Sequence, residues 1–253
     1  MSDYPDFDPN MKFKRALWPR VRGALRALAR GDNHQYDVLQ GSDPEMNPRS
    51  GAAHNLVIKL EASGLVERKV IDLARGIKPA FLRLTEKGRL FCEYYGWGVR
   101  ESGWDRLDRL HQGEVYLKHT AAVLLLSYYA SKIRDSSFDI LPEVDCGRFA
   151  PDILIDTEDF PACLVEVERT PKRDDHDKWD QQFDCCGYVA VCTVTRAQRL
   201  WLVGSDNVRD PDPESLRGCY PVGIATDLET LGKAFAAGYD DCWPEEAWGN
   251  YPG

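Results

Sequence analysis

Residues 151–172, PDILIDTEDFPACLVEVERTPK, have the apolar density of a buried β-hairpin with EDFP as its turn. The two predicted strand segments nevertheless carry three acids, Asp152, Glu166 and Glu168. Side chains at positions i and i+2 of a strand share a face, so Glu166 and Glu168 point one way and the neighbouring valines the other. Burying an ionised carboxylate is costly unless something pairs with it, so these acids predict a partner close by.

Charge is divided unevenly along the 253-residue chain, whose net charge is −9. Residues 11–89 contain 16 Lys and Arg against 8 Asp and Glu, a balance of +8, whereas residues 101–253 contain 15 against 29, a balance of −14. A basic module joined to an acidic one indicates a two-part protein whose basic part binds a polyanion. The alternative is that each imbalance only keeps its part of the chain soluble.

The basic segment has its own order of predicted elements. Residues 13–31 have apolar residues near helical spacing, with Gly31 as the stop. YDVLQGSD predicts a short helix or turn, and a third helix starts with Asn47 as N-cap and Pro48 at its first position. Two strands around the turn ARGIKP follow, and then a helix that Thr85 caps.

This order is that of a winged helix, and LEASGLVER followed by FLRLTEKGR resembles the L-x-x-x-G-L-V…Y-x-L-T-x-x-G run of winged-helix DNA-binding domains. The resemblance covers residues 12–96. It implies that the third helix enters the major groove of double-stranded DNA and that the hairpin, or wing, lies over the backbone or minor groove. A winged helix that docks a protein is the alternative. The residues expected to face DNA are Arg49, Ser50, His54, Asn55 and Lys59, with Arg75 and Lys78 on the wing.

The rest of the chain predicts a linker, a second domain and a tail. Residues 97–113 are polar and partly helical, and residues 114–204 begin with a long apolar helix. Strands are predicted at ILPEV, PDILIDT, ACLVEVERT, YVAVCTVT and RLWLVG, with a charged helix, DDHDKWDQQFDCCG, after the third. The order αβββαβ predicts a mixed β-sheet flanked by helices, so the fold class is α+β or α/β with two domains. Residues 205–253, with 10 acids against 3 basic residues, predict an acidic C-terminal extension.

That order and its acids resemble the PD-(D/E)xK nuclease superfamily. There the Asp of PD and the acid of the next strand hold a divalent metal, and a Lys two residues further on assists the attacking water. Pro151–Asp152 matches the first half and Glu166 the second, but Glu168 occupies the position of the lysine. Some members carry E-x-E, and in others the lysine lies on the following helix, which implies Lys178 or Lys172 here.

The chain more particularly resembles the replication-relaxation family of plasmid and phage proteins, which pair a winged helix with a PDa…flEvDrgT-like core. PDILI…CLVEVERTPK carries the resemblance, together with a helix that contains a His, LKHTAAVLLL with His119. It covers nearly the whole chain. It implies a DNA-associated protein that serves replication or mobilisation of a mobile element.

The chemistry of the acids favours a metal site independently. Mg²⁺ or Mn²⁺ prefers oxygen ligands and retains several waters, so two or three convergent carboxylates suffice. The predicted ligands are Asp152, Glu166 and the main-chain carbonyl of Val167. The resemblance to the nuclease superfamily implies that Glu168 orients or deprotonates water and that Lys178 stabilises charge. Glu114 is a further carboxylate that either joins the metal or is solvated at a helix N-terminus. The alternative to a metal is an ion-pair network with arginines such as Arg148, Arg169 or Arg173.

Eight scattered cysteines, without CxxC or zinc spacing, are typical of core residues in a reducing compartment. An apolar run of about 18 residues and a basic-then-apolar N-terminus are both missing, which predicts a cytoplasmic protein without a membrane segment. The expected function is a DNA-binding protein with a Mg²⁺-dependent phosphodiesterase domain. The alternative is a non-catalytic regulator or mobilisation accessory protein that keeps the nuclease scaffold for homodimerisation or partner docking.

Overall fold

The computed structural model describes residues 13, 16–110, 116–133, 135–142, 149–157, 162–204, 212–239, 243 and 247–248. The chain divides into two compact units, one from Met1–Ile71 with Lys78–Val115 and the other from Asp72–Ile77 with Tyr116–Gly253. The predicted class, helices combined with a mixed β-sheet, is confirmed. No helix among the described residues is long and apolar enough to cross a membrane.

The first unit consists of three helices, a two-stranded antiparallel hairpin and two further helices. In chain order they are α1 (Trp18–Arg30), α2 (Gln35–Ser42), α3 (Gly51–Ala62), β1 (Val66–Val70), β2 (Ala80–Leu84), α4 (Glu86–Tyr94) and α5 (Gly103–Leu110). One apolar core joins α1 to α4, and its fully enclosed side chains include Leu25, Leu39, Leu56, Leu60 and Leu82.

Local capping decides where these helices begin and end. Gly31 ends α1 with φ 106°, and Thr85 caps α4 by accepting a hydrogen bond from the amide of Gly88, so both predictions are confirmed. The predicted N-cap Asn47 is wrong, because Ser50 caps α3 and accepts a hydrogen bond from the amide of Ala53 at 3.2 Å. The side-chain oxygen of Asn47 instead accepts a hydrogen bond from the amide of Arg49. This local turn competes with helix formation.

Helix α5 lies in the segment that was predicted to be a polar linker. Its Trp104 is buried and packs against Phe81 of β2, with ring centroids 5.5 Å apart. Asp105 of the same helix pairs with Arg83 at 3.4 Å and with Arg89. These contacts make α5 part of the first unit rather than a connection, whereas residues 111–113 lie outside the described residues.

The second unit is built on a mixed sheet with strand order β3-β4-β5-β6-β7-β8. Strands β5, β6 and β7 are parallel, and the other pairs are antiparallel. Every residue of β6 and β7 is buried, as expected for central parallel strands. The elements are α6 (Leu117–Ala130), β3 (Ser137–Ile140), β4 (Ile153–Asp156), β5 (Cys163–Glu168), α7 (His176–Cys186), β6 (Val189–Thr193), α8 (Arg196–Val203), α9 (Leu216–Cys219), β7 (Gly223–Asp227), α10 (Leu228–Ala236) and β8 (Ala247–Trp248).

One predicted strand of this unit is wrong. RLWLVG lies in α8, which starts at a capping box between Thr195 and Gln198 and buries Arg199, Leu202 and Val203 on one side. The first strand of the sheet, Ser137–Ile140, overlaps the predicted ILPEV only at Ile140 and starts three residues earlier; residues 143 and 144 of that prediction lie outside the described residues.

The segment predicted as an acidic extension contributes to the same sheet. Strand β7 pairs with β6 along its whole length, from Val189 opposite Gly223 to Thr193 opposite Asp227. Asp227 is itself the N-cap of α10, so an acid in this segment serves helix formation. Among the cysteines, Cys92, Cys163 and Cys192 are buried core residues, whereas Cys185 is disulfide-bonded, which departs from the expectation of a reducing compartment.

Candidate functional site

The pairing of β4 with β5 brings Asp152 beside the two glutamates of β5. Asp152 directly precedes β4, and its amide donates to the carbonyl of Val165 at 3.2 Å. Its Oδ2 accepts a hydrogen bond from the amide of Val167 at 2.7 Å, between Glu166 and Glu168 in sequence. Asp152 and Glu166 are both 6% exposed, so two carboxylates are buried at one place in the sheet.

Helix α6 supplies a partner for the other oxygen of Asp152. His119 Nε2 lies 2.9 Å from Asp152 Oδ1, so both oxygens of this carboxylate are held. Burial acts to lower the pKa of His119, but its hydrogen bond to the Asp152 carboxylate and the charges of Asp152 and Glu166 outweigh burial and raise it. This contact fixes the orientation of the Asp152 carboxylate.

Helix α7 supplies a cation to both glutamates. Lys178 Nζ lies 2.7 Å from Glu166 Oε2 and also contacts Glu168 Oε1. The helix is anchored on the sheet by Gln182, whose Nε2 donates to the carbonyls of Leu164 at 3.1 Å and Ala190 at 2.9 Å. Lys178 is therefore the cation that the acids of the hairpin required.

The charges of this cluster do not balance. Burial and the neighbouring charge of Asp152 raise the pKa of Glu166 to about 7, although Lys178 acts to lower it. The pKa of Lys178 is raised in spite of its burial, because Glu166 and Glu168 both favour the ammonium form. The two shifts agree with one picture, in which three carboxylates share one ammonium and one imidazole.

Several other residues were also predicted for this site. Arg173 does not pair with the acids: its Nε donates to the carbonyl of Trp201 at 2.8 Å and its guanidinium contacts Asp212. Lys172 is exposed, and Val167 is held to Asp152 by its amide. Glu114 and Arg148 lie outside the described residues. In the part of the chain that the structure describes, no group of three or more His, Cys, Asp and Glu side chains is arranged to hold a metal ion.

The residues predicted to face DNA belong to α3, the turn before it and the turn of the hairpin. All of them are exposed except Ser50, which is partly buried as the N-cap of α3. Sequence reasoning missed one neighbour of theirs, Ile58, whose side chain is exposed on the same helix. Its position three residues after Asn55, and therefore on the same helical face, was the available signal.

No protein-family model, curated protein or solved structure matches the chain. The charged cluster around Asp152 and the exposed cations of α3 and of the hairpin turn are therefore the observations that bear on function.

Proposed function

We propose that the chain is a DNA-binding protein whose second unit is a divalent-metal-dependent phosphodiesterase, a nuclease that serves a plasmid or phage. The observation that carries the proposal is the contact of Lys178 with both Glu166 and Glu168, next to Asp152. In the PD-(D/E)xK pattern the lysine lies two residues after the second acid. Here a lysine of the following helix reaches the same carboxylates, which supports the variant in which it has moved.

A divalent ion suits the donors of this cluster. Asp152 and Glu166 offer the hard oxygen ligands that Mg²⁺ and Mn²⁺ prefer, and the carbonyl of Val167 is the proposed third ligand. The pKa of Glu166 is raised first by burial and then by the charge of Asp152, and the ammonium of Lys178 does not offset both effects. A bound divalent ion would add positive charge beside Glu166, and it would polarise a phosphoryl oxygen and lower the pKa of a bound water.

The other residues of the cluster have separate roles in this proposal. The amide of Val167 and the ring of His119 hold the Asp152 carboxylate in one orientation, as outer partners of metal ligands commonly do. The Lys178 ammonium stabilises negative charge that develops on the phosphate. Glu168, on the same strand face as Glu166, orients or deprotonates the attacking water.

The first unit is proposed to be the winged helix that locates double-stranded DNA. Its element order, three helices followed by a hairpin and a helix, supports this assignment. Arg49, Lys59 and Lys78 of this unit are exposed, which suits contacts with phosphates, and Arg75 of the hairpin turn, which belongs to the second unit, is exposed as well.

A second function is favoured by one observation. Glu166 and Glu168 are already paired with Lys178, and among the described residues no three-ligand metal group exists. Acids that are paired with a lysine in this way are expected of a non-catalytic DNA-binding accessory protein that keeps the scaffold for dimerisation or docking.

Cleavage assays separate the two functions. The purified chain is incubated with supercoiled, single-stranded and branched DNA, with Mg²⁺, with Mn²⁺ and with a chelator. We expect metal-dependent cleavage that is lost in Asp152→Asn, Glu166→Gln and Lys178→Met. Lys172 is an exposed lysine that precedes α7, so Lys172→Met is the matched control, and this variant should cleave normally.

Two results would count against the nuclease. A wild-type chain that binds DNA but cleaves none of the substrates with either metal supports the accessory protein, and cleavage that survives Glu166→Gln places the activity elsewhere. DNA binding is measured separately, as an affinity that falls steeply with salt.

A further inference from the structure

The exposed face of α3 is centred on a stripe that is not basic. Its residues recur at i, i+4, i+7 and i+11, and all of them are exposed. They lie opposite the core side of the helix, which is formed by Ala53, Leu56, Val57 and Leu60. The members of the stripe are Gly51, Asn55, Ile58 and Ala62.

Ile58 is the unexpected member of this stripe. Its relative exposure is 47%, and its neighbours on the exposed side include His54 and Lys59. Gly51 and Ala62, at the two ends of the stripe, are small, and a Cβ placed on Gly51 would meet no atom within 4 Å. A partner can therefore approach the backbone of α3 closely at both ends, with one apolar side chain and one amide between them.

The surroundings of the stripe carry a net positive charge. Lys59 lies beside the stripe and Arg49 lies just before the helix, both exposed, against one exposed acid of the helix, Glu61. The major groove of B-DNA is about 12 Å wide and admits an α-helix, and its floor carries both hydrogen-bonding groups and the C5-methyl group of thymine.

We propose that Asn55 and Ile58 recognise one A·T base pair, with the Asn55 amide bonded to N6 and N7 of its adenine and Ile58 packed on the methyl group of its thymine. The inference rests on the proposed DNA binding by the first unit and adds the bases that it selects. Residues at i and i+3 of a helix are neighbours on its surface, so both side chains can contact the same base pair. Asn to adenine and an apolar side chain to the thymine methyl are the pairings that groove chemistry favours.

The test uses thymine without its methyl group. Duplexes that the full-length chain binds are selected from a random-sequence pool, and each thymine of the selected site is then replaced singly by deoxyuridine. We expect one thymine at which this replacement weakens binding about fourfold, the effect of one apolar carbon group at about 0.8 kcal/mol. Ile58→Ala should bind the two duplexes equally.

Two further variants make the result specific. Replacing the paired adenine by 7-deazaadenine, which lacks the N7 acceptor, should weaken the wild type but not Asn55→Ala. Leu90→Ala removes an exposed apolar side chain of α4, with 37% exposure, and should keep the full discrimination between thymine and deoxyuridine. Both α3 positions are exposed, so circular dichroism should show unchanged folding.

The remaining outcomes contradict either the A·T assignment or the proposed DNA binding. If the chain binds DNA but is indifferent to deoxyuridine at every position, or if Ile58→Ala still discriminates, the A·T assignment is wrong while DNA binding stands. If it binds duplexes without any base preference, the assignment is also wrong. If no duplex binds even at low salt, the proposed function of the first unit fails, and the inference fails with it.

Discussion

Replacing Glu166 by glutamine tests the unbalanced charge of the buried cluster directly. Glutamine keeps the shape of the side chain and an oxygen that Lys178 can donate to, but it removes the carboxylate charge. Glu166 is 6% exposed, and its pKa is raised from 4.5 to about 7, first by burial and then by the charge of Asp152. We therefore expect Glu166→Gln to stabilise the metal-free protein at alkaline pH.

The size of the effect follows from linkage. A pKa raised in the folded state means that folding favours the protonated form, so this stabilisation is complete below about pH 4.5 and is lost as pH rises through about 7. At about 1.4 kcal/mol per pKa unit, the shift corresponds to a loss of up to about 3 kcal/mol. Glu166→Gln should therefore be close to wild type at about pH 5 and more stable by up to about 3 kcal/mol at about pH 8.

Urea unfolding of both proteins at the two pH values, with a chelator present, measures this difference. The raised pKa of His119 gives a loss in the same direction in both proteins, and the loss is smaller in the variant because the charge of Glu166 contributes to that shift. Glu229→Gln is the matched control. The hydrogen bond from Lys233 is the main cause that lowers the pKa of Glu229, so its neutralisation should not stabilise at pH 8.

Added Mg²⁺ extends the comparison. A metal that binds the folded wild type stabilises it by RT ln(1 + [L]/Kd), and Glu166→Gln should lose most of this response. The expected stabilisation is contradicted if Glu166→Gln lowers the free energy of unfolding at pH 8 by about 3–5 kcal/mol, the cost of breaking a buried ion pair. That result, with a wild type indifferent to Mg²⁺, would make the pair with Lys178 a structural element.

Three other substitutions test the fold. Arg199→Met leaves the fully buried Asp227, 2.8 Å from Arg199 Nε, without this cation, and should cost about 3–5 kcal/mol in urea unfolding; a loss below about 1 kcal/mol would contradict the ion-pair assignment. Gly88→Ala places a Cβ against the carbonyl oxygen of Leu65 and should lower the melting temperature, since backbone must move; an unchanged melting temperature would contradict this packing. Ser50→Ala removes the cap of α3 and should cost about 1 kcal/mol, with no loss if the cap is Asn47 as the sequence suggested.

Elements with a local signal were predictable. The alternation in CLVEVER gave β5 and the shared face of its acids, and Gly31 and Thr85 marked helix ends, because strand periodicity and capping depend on neighbouring residues. The strand predicted at RLWLVG was wrong, because a short apolar run is equally compatible with a strand and with a buried helix. The capping box of Thr195 and Gln198 was present in the sequence and decides for the helix.

The C-terminal segment shows a limit of composition. Its excess of acids suggested an appendage, yet it contains β7, which is buried along its length. One of the acids, Asp227, pairs with Arg199. Its carboxylate also accepts hydrogen bonds from the amide and the hydroxyl of Thr230 at the start of α10. Counting charges cannot reveal this arrangement, because pairing with Arg199 arises only when α8 docks on the sheet.

The same dependence on docking explains why the role of Lys178 could be suggested but not decided from sequence. Its reach to Glu166 and Glu168 is set by Gln182, which anchors α7 on the carbonyls of β5 and β6. Pairing with lysine and binding of a metal are therefore not exclusive explanations of the acids. One ammonium leaves Glu166 with a raised pKa, so the cluster is compensated only in part. A divalent ion would complete the compensation while Lys178 remains beside the carboxylates, available to a phosphate.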